Sequence, residues 1–303
     1  MNTPSIRRLS AAALALLMLM LTACRSAPVQ PPPPPKPPVV ALALGGGAAR
    51  GFAHVGVIKM LESQGFEPDL IIGTSAGSVA GALYASGING FQLQEMTFDL
   101  ERAAFADWQF FSRGLLRGEK LQNFVDDKVG HRTIEQLPRR FAAVAAKLKT
   151  GEVHVFTTGD VGLAVRASSA IPGVFQAPVI DGEEYVDGGT VSPVPVRFAR
   201  AMGADVVIAV DVSQPIEDQS SDSSLRALLK TYTIMGHALA AAELPLADVV
   251  IAPDVRGIGA ADFDDKQRAI LAGERAALAA MPRIRVAIAN AAAIKTSTGT
   301  SAK

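Results

Sequence analysis

The chain has one cysteine, Cys24, in 303 residues. No intrachain disulfide can form, and no set of thiolates exists to hold a metal. Net charge is absent too, with 29 basic residues against 29 acidic ones. That balance gives no electrostatic footprint for nucleic acid, which is not expected as a partner. Histidine is scarce at four residues and aromatics make up 6% of the chain, so any chemistry that needs an imidazole has few places to find one. What is plentiful is apolar material: 49% hydrophobic against 19% charged residues. Such a chain folds rather than staying disordered, and its length suits one large domain or two small ones, enough to bury a full core.

The N-terminus reads as a targeting segment. Arg7 and Arg8 precede an apolar run from Ala11 to Leu21, the order of a secretory signal peptide and too short for an ordinary membrane-spanning helix. It closes on Leu21-Thr22-Ala23-Cys24, a tetrad that resembles the bacterial lipobox. The expected organisation is a signal peptide over 1–23, then a lipidated Cys24 and proline-rich linker over 24–38. The folded domain is expected over 39–290 and a disordered tail over 291–303. Pro31 to Pro35, Pro37 and Pro38 favour polyproline II and hence a stiff spacer. Arg25 after the cysteine, by likeness to bacterial lipoproteins, favours the outer membrane and a periplasmic-facing domain. Several acyl chains on Cys24 would anchor the chain stably.

Beyond the linker, short apolar runs alternate with helical periodicity. Strands are predicted at 39–44, 70–72, 141–146, 153–157, 205–211 and 248–252, with a strand-like stretch at 184–186. Helices are predicted at 51–64, 76–86, before Gly203, at 222–243 and at 266–280. Alternation of this kind implies a single α/β domain with a doubly wound, mostly parallel sheet and helices on both faces. Residues 91–140 hold Phe91, Phe98, Phe105, Trp108, Phe110, Phe111 and Phe124. They read either as helical packing or as a lid over an apolar groove.

Three glycine-marked turns carry the chemistry. Gly73-Thr74-Ser75-Ala76-Gly77 matches G-x-S-x-G between a strand and a helix, where a sharp turn exposes the serine and side chains at Gly73 and Gly77 would collide. The helix N-terminus behind it favours negative charge. Gly45-Gly46-Gly47-Ala48-Ala49-Arg50-Gly51 joins another strand to a helix. It lacks the dinucleotide and P-loop patterns, and reads as an oxyanion hole with Gly46 and Gly47 amides as donors. Arg50 would add positive charge or lock the loop by holding a carbonyl or carboxylate. For the base, Asp187 in Asp187-Gly188-Gly189 stands after a strand; taken alone the motif reads as an ordinary hairpin turn, and otherwise as a turn that presents its carboxylate. Burial would raise its pKa toward a useful range. His237 is the alternative base of a Ser-His-Asp esterase, since it alone of the four histidines follows Asp187.

The glycine–Arg loop, G-x-S-x-G and Asp-Gly-Gly, in that order, resemble the patatin-like phospholipases, in the bacterial stand-alone lipoprotein type. The block from Arg166 to Phe175 strengthens the likeness, which covers about Val40 to Val212. The resemblance implies a Ser75–Asp187 dyad without histidine, an oxyanion hole at Gly45–Gly47 with Arg50 nearby, and hydrolysis of phospholipid or lysophospholipid esters. It implies neither metal nor cofactor. The expectation from a different class is a weakly active lipoprotein that binds acyl lipid.

Overall fold

The structure is a computed structural model that describes residues 36–97, 99, 116–213 and 223–301. The signal peptide, Cys24 and the prolines up to Pro35 therefore lie outside the described residues, as do Phe98, Phe105, Trp108, Phe110 and Phe111.

The first strand, β1 (Val40–Leu44), is buried along its whole length, as is β2 (Leu70–Thr74). Continuous apolar runs of this kind suit the middle of a parallel sheet, where helices cover both faces. Between them runs α1 (Phe52–Ser63), and after β2 comes α2 (Ala76–Ala85). A helical segment over 90–97 follows, and then α3 (Glu119–Val129), which is framed by left-handed Gly118 and Gly130. The chain continues through β3 (Arg140–Lys147), β4 (Val153–Phe156), α4 (Val161–Ser168), β5 (Val179–Ile180) and β6 (Glu183–Asp187). It finishes with α5 (Val196–Ala201), β7 (Val206–Val210), α6 (Ser224–Glu243), β8 (Val249–Ile251) and α7 (Lys266–Ser301).

The strand order is β5-β6-β3-β2-β1-β7-β8, with β4 also on β3. β3, β2, β1, β7 and β8 are parallel, while β4, β5 and β6 join antiparallel. The chain steps outward from β1 to β2 to β3, then returns to β7 on the other flank of β1. β1 and β7 therefore flank the point where the strand order reverses, and α/β folds hold their ligands at the carboxyl ends of the strands at such a point.

Alternation along the strands splits the core. Leu42, Leu44, Ile71, Phe141 and Ile208 meet α1, α2, α3, α4 and α7 on one face. Ala41, Ala43, Ile72, Val144 and Val207 meet α5 and Ala240 of α6 on the other.

Two differences from the sequence expectation stand out. The closing helix continues past Pro282 to Ser301, so residues 291–301 are helical where a disordered tail was expected. A proline costs one turn's hydrogen bond, but Ile284 is fully buried beyond it, and Ala287, Ile288 and Ala291 pack on the core. Second, short β5 and helix α4 fall outside the predicted elements, whereas α3 supplies helical packing within 91–140, with Phe124 on the core.

The register around β3 fixes the site. β2 pairs with residues 140–144 of β3, β4 with 143–146 and β6 with 145–147. The overlaps put β4 on one edge and both β2 and β6 on the other. β2 ends with Thr74 opposite Val144, and β6 arrives from the opposite direction with Asp187 opposite Ala145. The ends of β2 and β6 thus meet head-on along one edge of β3.

Candidate active site

Ser75 alone makes the turn from β2 to α2, with φ 54° and ψ −124°. A positive φ is costly for a residue with a side chain and persists only where its surroundings enforce it. The enforcement is visible. A Cβ on Gly73 would overlap the Gly77 carbonyl, and one on Gly77 would overlap the Leu44 carbonyl. The Ser75 N–H donates to Ser168 Oγ at 2.9 Å, and Ser168 Oγ donates to the Val144 carbonyl at 2.6 Å. Ser78 Oγ donates to the Ser75 carbonyl at 2.7 Å. Ser168 is a supporting residue that sequence reasoning did not single out, although it lies in the 166–175 block.

Asp187 is fully buried. Its Oδ1 accepts from the Gly189 N–H at 2.7 Å and from the Tyr232 hydroxyl at 2.9 Å. Its Oδ2 is buried with no hydrogen-bond partner among the described residues. The Ser75 hydroxyl bears on the same carboxyl, although the pair does not close to full hydrogen-bond geometry; contacts of this kind are often long before substrate binds. Burial pushes the Asp187 carboxyl up to about 6, against the opposing pull of Ser75, Gly189 and Tyr232. Gly188 is required by space, since a Cβ there would overlap the Val144 carbonyl.

The glycine loop departs from the expected donors. Gly45 N–H is taken by the Val210 carbonyl at 3.0 Å and Gly46 N–H by the Pro193 carbonyl at 2.9 Å. Neither is free to meet an oxyanion, which corrects the expectation of Gly46 as a donor and leaves Gly45 a structural member of the loop. The N–H groups of Gly47 and Ala48 have no acceptor among the described residues. Gly46 instead brings its Cα against Ser75: a Cβ there would lie 3.3 Å from that of Ser75. Arg50 holds the Gly47 carbonyl through its backbone N–H at 3.1 Å and its Nε at 3.2 Å. Because the C=O and N–H of one trans peptide point opposite ways, this grip aims the Ala48 N–H away from Arg50. Ala48 carries the loop's strain at φ 50°.

Among the described residues no histidine hydrogen-bonds Asp187, whose partners are Gly189 and Tyr232, with the Ser75 hydroxyl beside the carboxyl. His54 is buried under the loop, 2.7 Å from the Gly45 carbonyl. A carbonyl only accepts, so Nε2 donates. Burial depresses this imidazole to about 4, so it stays neutral and props the loop. His131 pairs with Asp127 on the surface, and His154 packs against Phe156 and Tyr185. His237 lines a cavity that also reaches Ser75.

Two cavities meet at Ser75, sharing Ala48, Ser75 and Ile171. One is apolar and follows α2 along Ala76, Val79, Ala80 and Leu83, closed by Leu93, Met96 and Leu121. The aromatic-rich stretch thus contributes aliphatic wall here, while Phe91 is exposed and Phe124 packs on the core. The other is more polar, with Arg50, Asp211, Ser213, Tyr232, Thr233 and His237 in its wall.

An α/β sheet with a strained serine at a strand–helix turn and a buried carboxylate beside it defines a nucleophile-elbow hydrolase architecture. The family model described as patatin-like phospholipase matches residues 42–200, and the chain belongs to that family. An uncharacterized NTE family protein of Mycobacterium tuberculosis is 39% identical over 177 residues, covering 56% of this chain and 48% of its own. A second from that organism is 31% identical over 266 residues, covering 78% and 46%. Patatin-like phospholipase domain-containing protein 6 of Mus musculus is 32% identical over 226 residues, 71% of this chain and 16% of its own. The chain therefore spans about half the length, or less, of these curated relatives. Among solved structures, VipD from Legionella pneumophila aligns with TM-score 0.47 at 13% identity, over 80% of this chain and 67% of its own. ExoU in complex with SpcU, from Pseudomonas aeruginosa, aligns with TM-score 0.46 at 17% identity, over 84% and 52%.

Proposed function

We propose that this chain is a serine acyl hydrolase that cleaves carboxylic esters of phospholipid or lysophospholipid with a Ser75–Asp187 dyad. The observation that carries the reading is the fully buried carboxylate of Asp187, its Oδ2 unpartnered, at the head-on meeting of β6 with the β2–Ser75 turn. In the first step Asp187 takes the Ser75 proton as Oγ attacks the ester carbonyl. Gly47 and Ala48 N–H groups receive the developing alkoxide; one such donor is typically worth about 3 kcal/mol in the transition state. Asp187 then returns the proton to the leaving alcohol as the C–O bond breaks. Water attacks the acyl-enzyme with Asp187 again as base, and Ser75 leaves with the proton. The apolar cavity suits the acyl chain and the polar cavity suits the alcohol side.

A fluorophosphonate probe on the chain lacking residues 1–24, read by mass spectrometry, tests the dyad. The expected adduct sits on Ser75, is absent in Ser75→Ala and is strongly slowed in Asp187→Asn. Full esterase activity in Ser75→Ala would overturn the reading. Loss of activity in His237→Ala with Asp187→Asn unaffected would favour the histidine alternative, and lipid binding without turnover would favour the binding lipoprotein.

The same reading extends to location: an anchor at a lipidated Cys24 in a bacterial outer membrane, with the domain on the periplasmic side. Its support is the signal-like segment and the tetrad ending at Cys24. In fractionated cells, Cys24→Ser is expected to move the protein out of the membrane pellet; retention there sinks the anchor.

A further inference from the structure

We propose that Tyr232, on α6, is a positioning residue that holds the Asp187 carboxylate in the rotamer from which Oδ2 can take the Ser75 proton. This rests on the dyad reading above and adds to it a residue from outside the three glycine turns.

The geometry is specific. The Tyr232 hydroxyl donates to Asp187 Oδ1 at 2.9 Å, on the same oxygen that accepts the Gly189 N–H at 2.7 Å. With both donors on Oδ1, rotation about the carboxyl axis is blocked and Oδ2 is the oxygen left over, buried and unpartnered. A carboxylate that could swing would present either oxygen, or hydrogen-bond elsewhere and leave the serine unactivated. Placement to within a fraction of an ångström is what such a proton transfer requires.

Space enforces the arrangement. A Cβ on Gly189 would overlap the Tyr232 hydroxyl oxygen and come within 3.1 Å of Asp187 Oδ1. The second glycine of Asp187-Gly188-Gly189 is thus explained by the tyrosine that lies over it. Burial and the adjacent carboxylate hold the Tyr232 hydroxyl well above its ordinary pKa, so it remains a donor. Further along the same helix, Glu243 Oε2 accepts from Ser192 Oγ at 2.8 Å, and the Ser192 carbonyl accepts from Thr74 Oγ1 at 2.8 Å. α6 therefore grips the acid loop at both ends, and Tyr232 is the grip that reaches the carboxylate.

The test is the pH–rate profile of Tyr232→Phe in the full chain with a soluble p-nitrophenyl ester, alongside thermal melting. The hydroxyl favours the charged carboxylate, so its loss raises the proton affinity of Asp187. The midpoint of the acid limb is expected to move upward by about half a pH unit or more. The plateau kcat is expected to fall about tenfold, the usual weight of a hydrogen bond to a charged group, with KM little changed and the melting temperature lowered by about 3–6 °C. Gly189→Ala, which displaces the hydroxyl sterically, is expected to move the same limb the same way. The double variant is expected to lose less than the sum of the two singles, because Phe removes the overlapping oxygen and leaves the ring carbon and Asp187 Oδ1, each 3.1 Å from the new Cβ. A Tyr232→Phe enzyme with wild-type midpoint and plateau overturns the proposal. So does additive loss in the double variant, which also serves as the decisive readout if one single variant folds poorly. Failure of the dyad itself is separate: it shows as activity retained in Asp187→Asn, whatever Tyr232→Phe does.

Discussion

Single residues set how this fold responds to pH, and two buried titratable groups pull its stability in opposite directions. Asp187 is raised from 3.8 to about 6 by burial. The folded state therefore binds its proton more tightly than the unfolded chain does. The stability this group contributes is present at low pH and is lost as pH rises from about 4 through about 6. At pH 8 the buried charge costs on the order of 3 kcal/mol. The amide of an Asp187→Asn variant keeps an oxygen for Gly189 and Tyr232 without the charge. That variant is therefore expected to be inactive yet more stable than wild type at pH 8, with the difference vanishing near pH 4, as thermal melting across that range would record. An Asp187→Asn protein that is no more stable at pH 8 contradicts the burial argument. His54 acts the other way. Lowered from 6.5 to about 4, it contributes stability above pH 6.5 that is lost as pH falls toward 4. In the Asp187→Asn protein the His54 slope is no longer offset, so acid sensitivity below pH 6.5 is steeper than in wild type.

Between elements, the α1–α7 contact shows why small residues sit where they do. A Cβ on Gly56 would overlap the Ile270 carbonyl, and one on Gly273 would overlap the Ala53 carbonyl. The two backbones are closer than any side chain allows, and Lys59 and Glu274 close the crossing with an ion pair. A helical glycine normally costs about 1 kcal/mol relative to alanine, so Gly273→Ala carries a propensity gain. The overlap is with backbone, which cannot rotate away, and overpacking of that kind costs about 1–3 kcal/mol. Gly273→Ala is therefore expected to lower the melting temperature. Gly236, in α6, has no described residue within 4 Å of a hypothetical Cβ, and Gly236→Ala is expected to raise it. Equal shifts in the two variants would mean the helices are not packed this closely.

Across the molecule, the site exists because distant stretches converge on one sheet edge and one crevice. Ser75 comes from β2–α2, Asp187 from β6, Tyr232 from α6 and the glycine loop from β1. The two cavities that meet at Ser75 follow from the same convergence, since α2 walls one and α6 the other. Ala80 lines the apolar side, about 7.5 Å along the helix axis from Ser75 at about 1.5 Å per helical residue. Ala80→Phe is expected to leave hydrolysis of acetyl and butyryl esters within a few-fold of wild type and to depress that of palmitoyl esters at least tenfold. An unchanged chain-length profile would mean the acyl group lies elsewhere.

The alternation of β and α elements, the doubly wound class, and the three turns at Gly45, Ser75 and Asp187 are legible in the chain alone. These features are local: a strand–glycine–helix junction has only a few backbone solutions, and glycine marks them. Gly73 and Gly77 are legible in the same way as positions without room for side chains. Which amides are free is a matter of long-range contact, because the partners of Gly45 and Gly46 are carbonyls of Val210 and Pro193, far along the chain. Folding likewise makes the oxygen of Asp187 facing away from Gly189 and Tyr232 the open one, and carries α7 on through Pro282 because Ile284 has a core to enter. Tyr232 and Ser168 carry no motif of their own. Their roles arise from a hydroxyl meeting a partner 45 or 93 residues away, and no spacing in the chain records such a meeting.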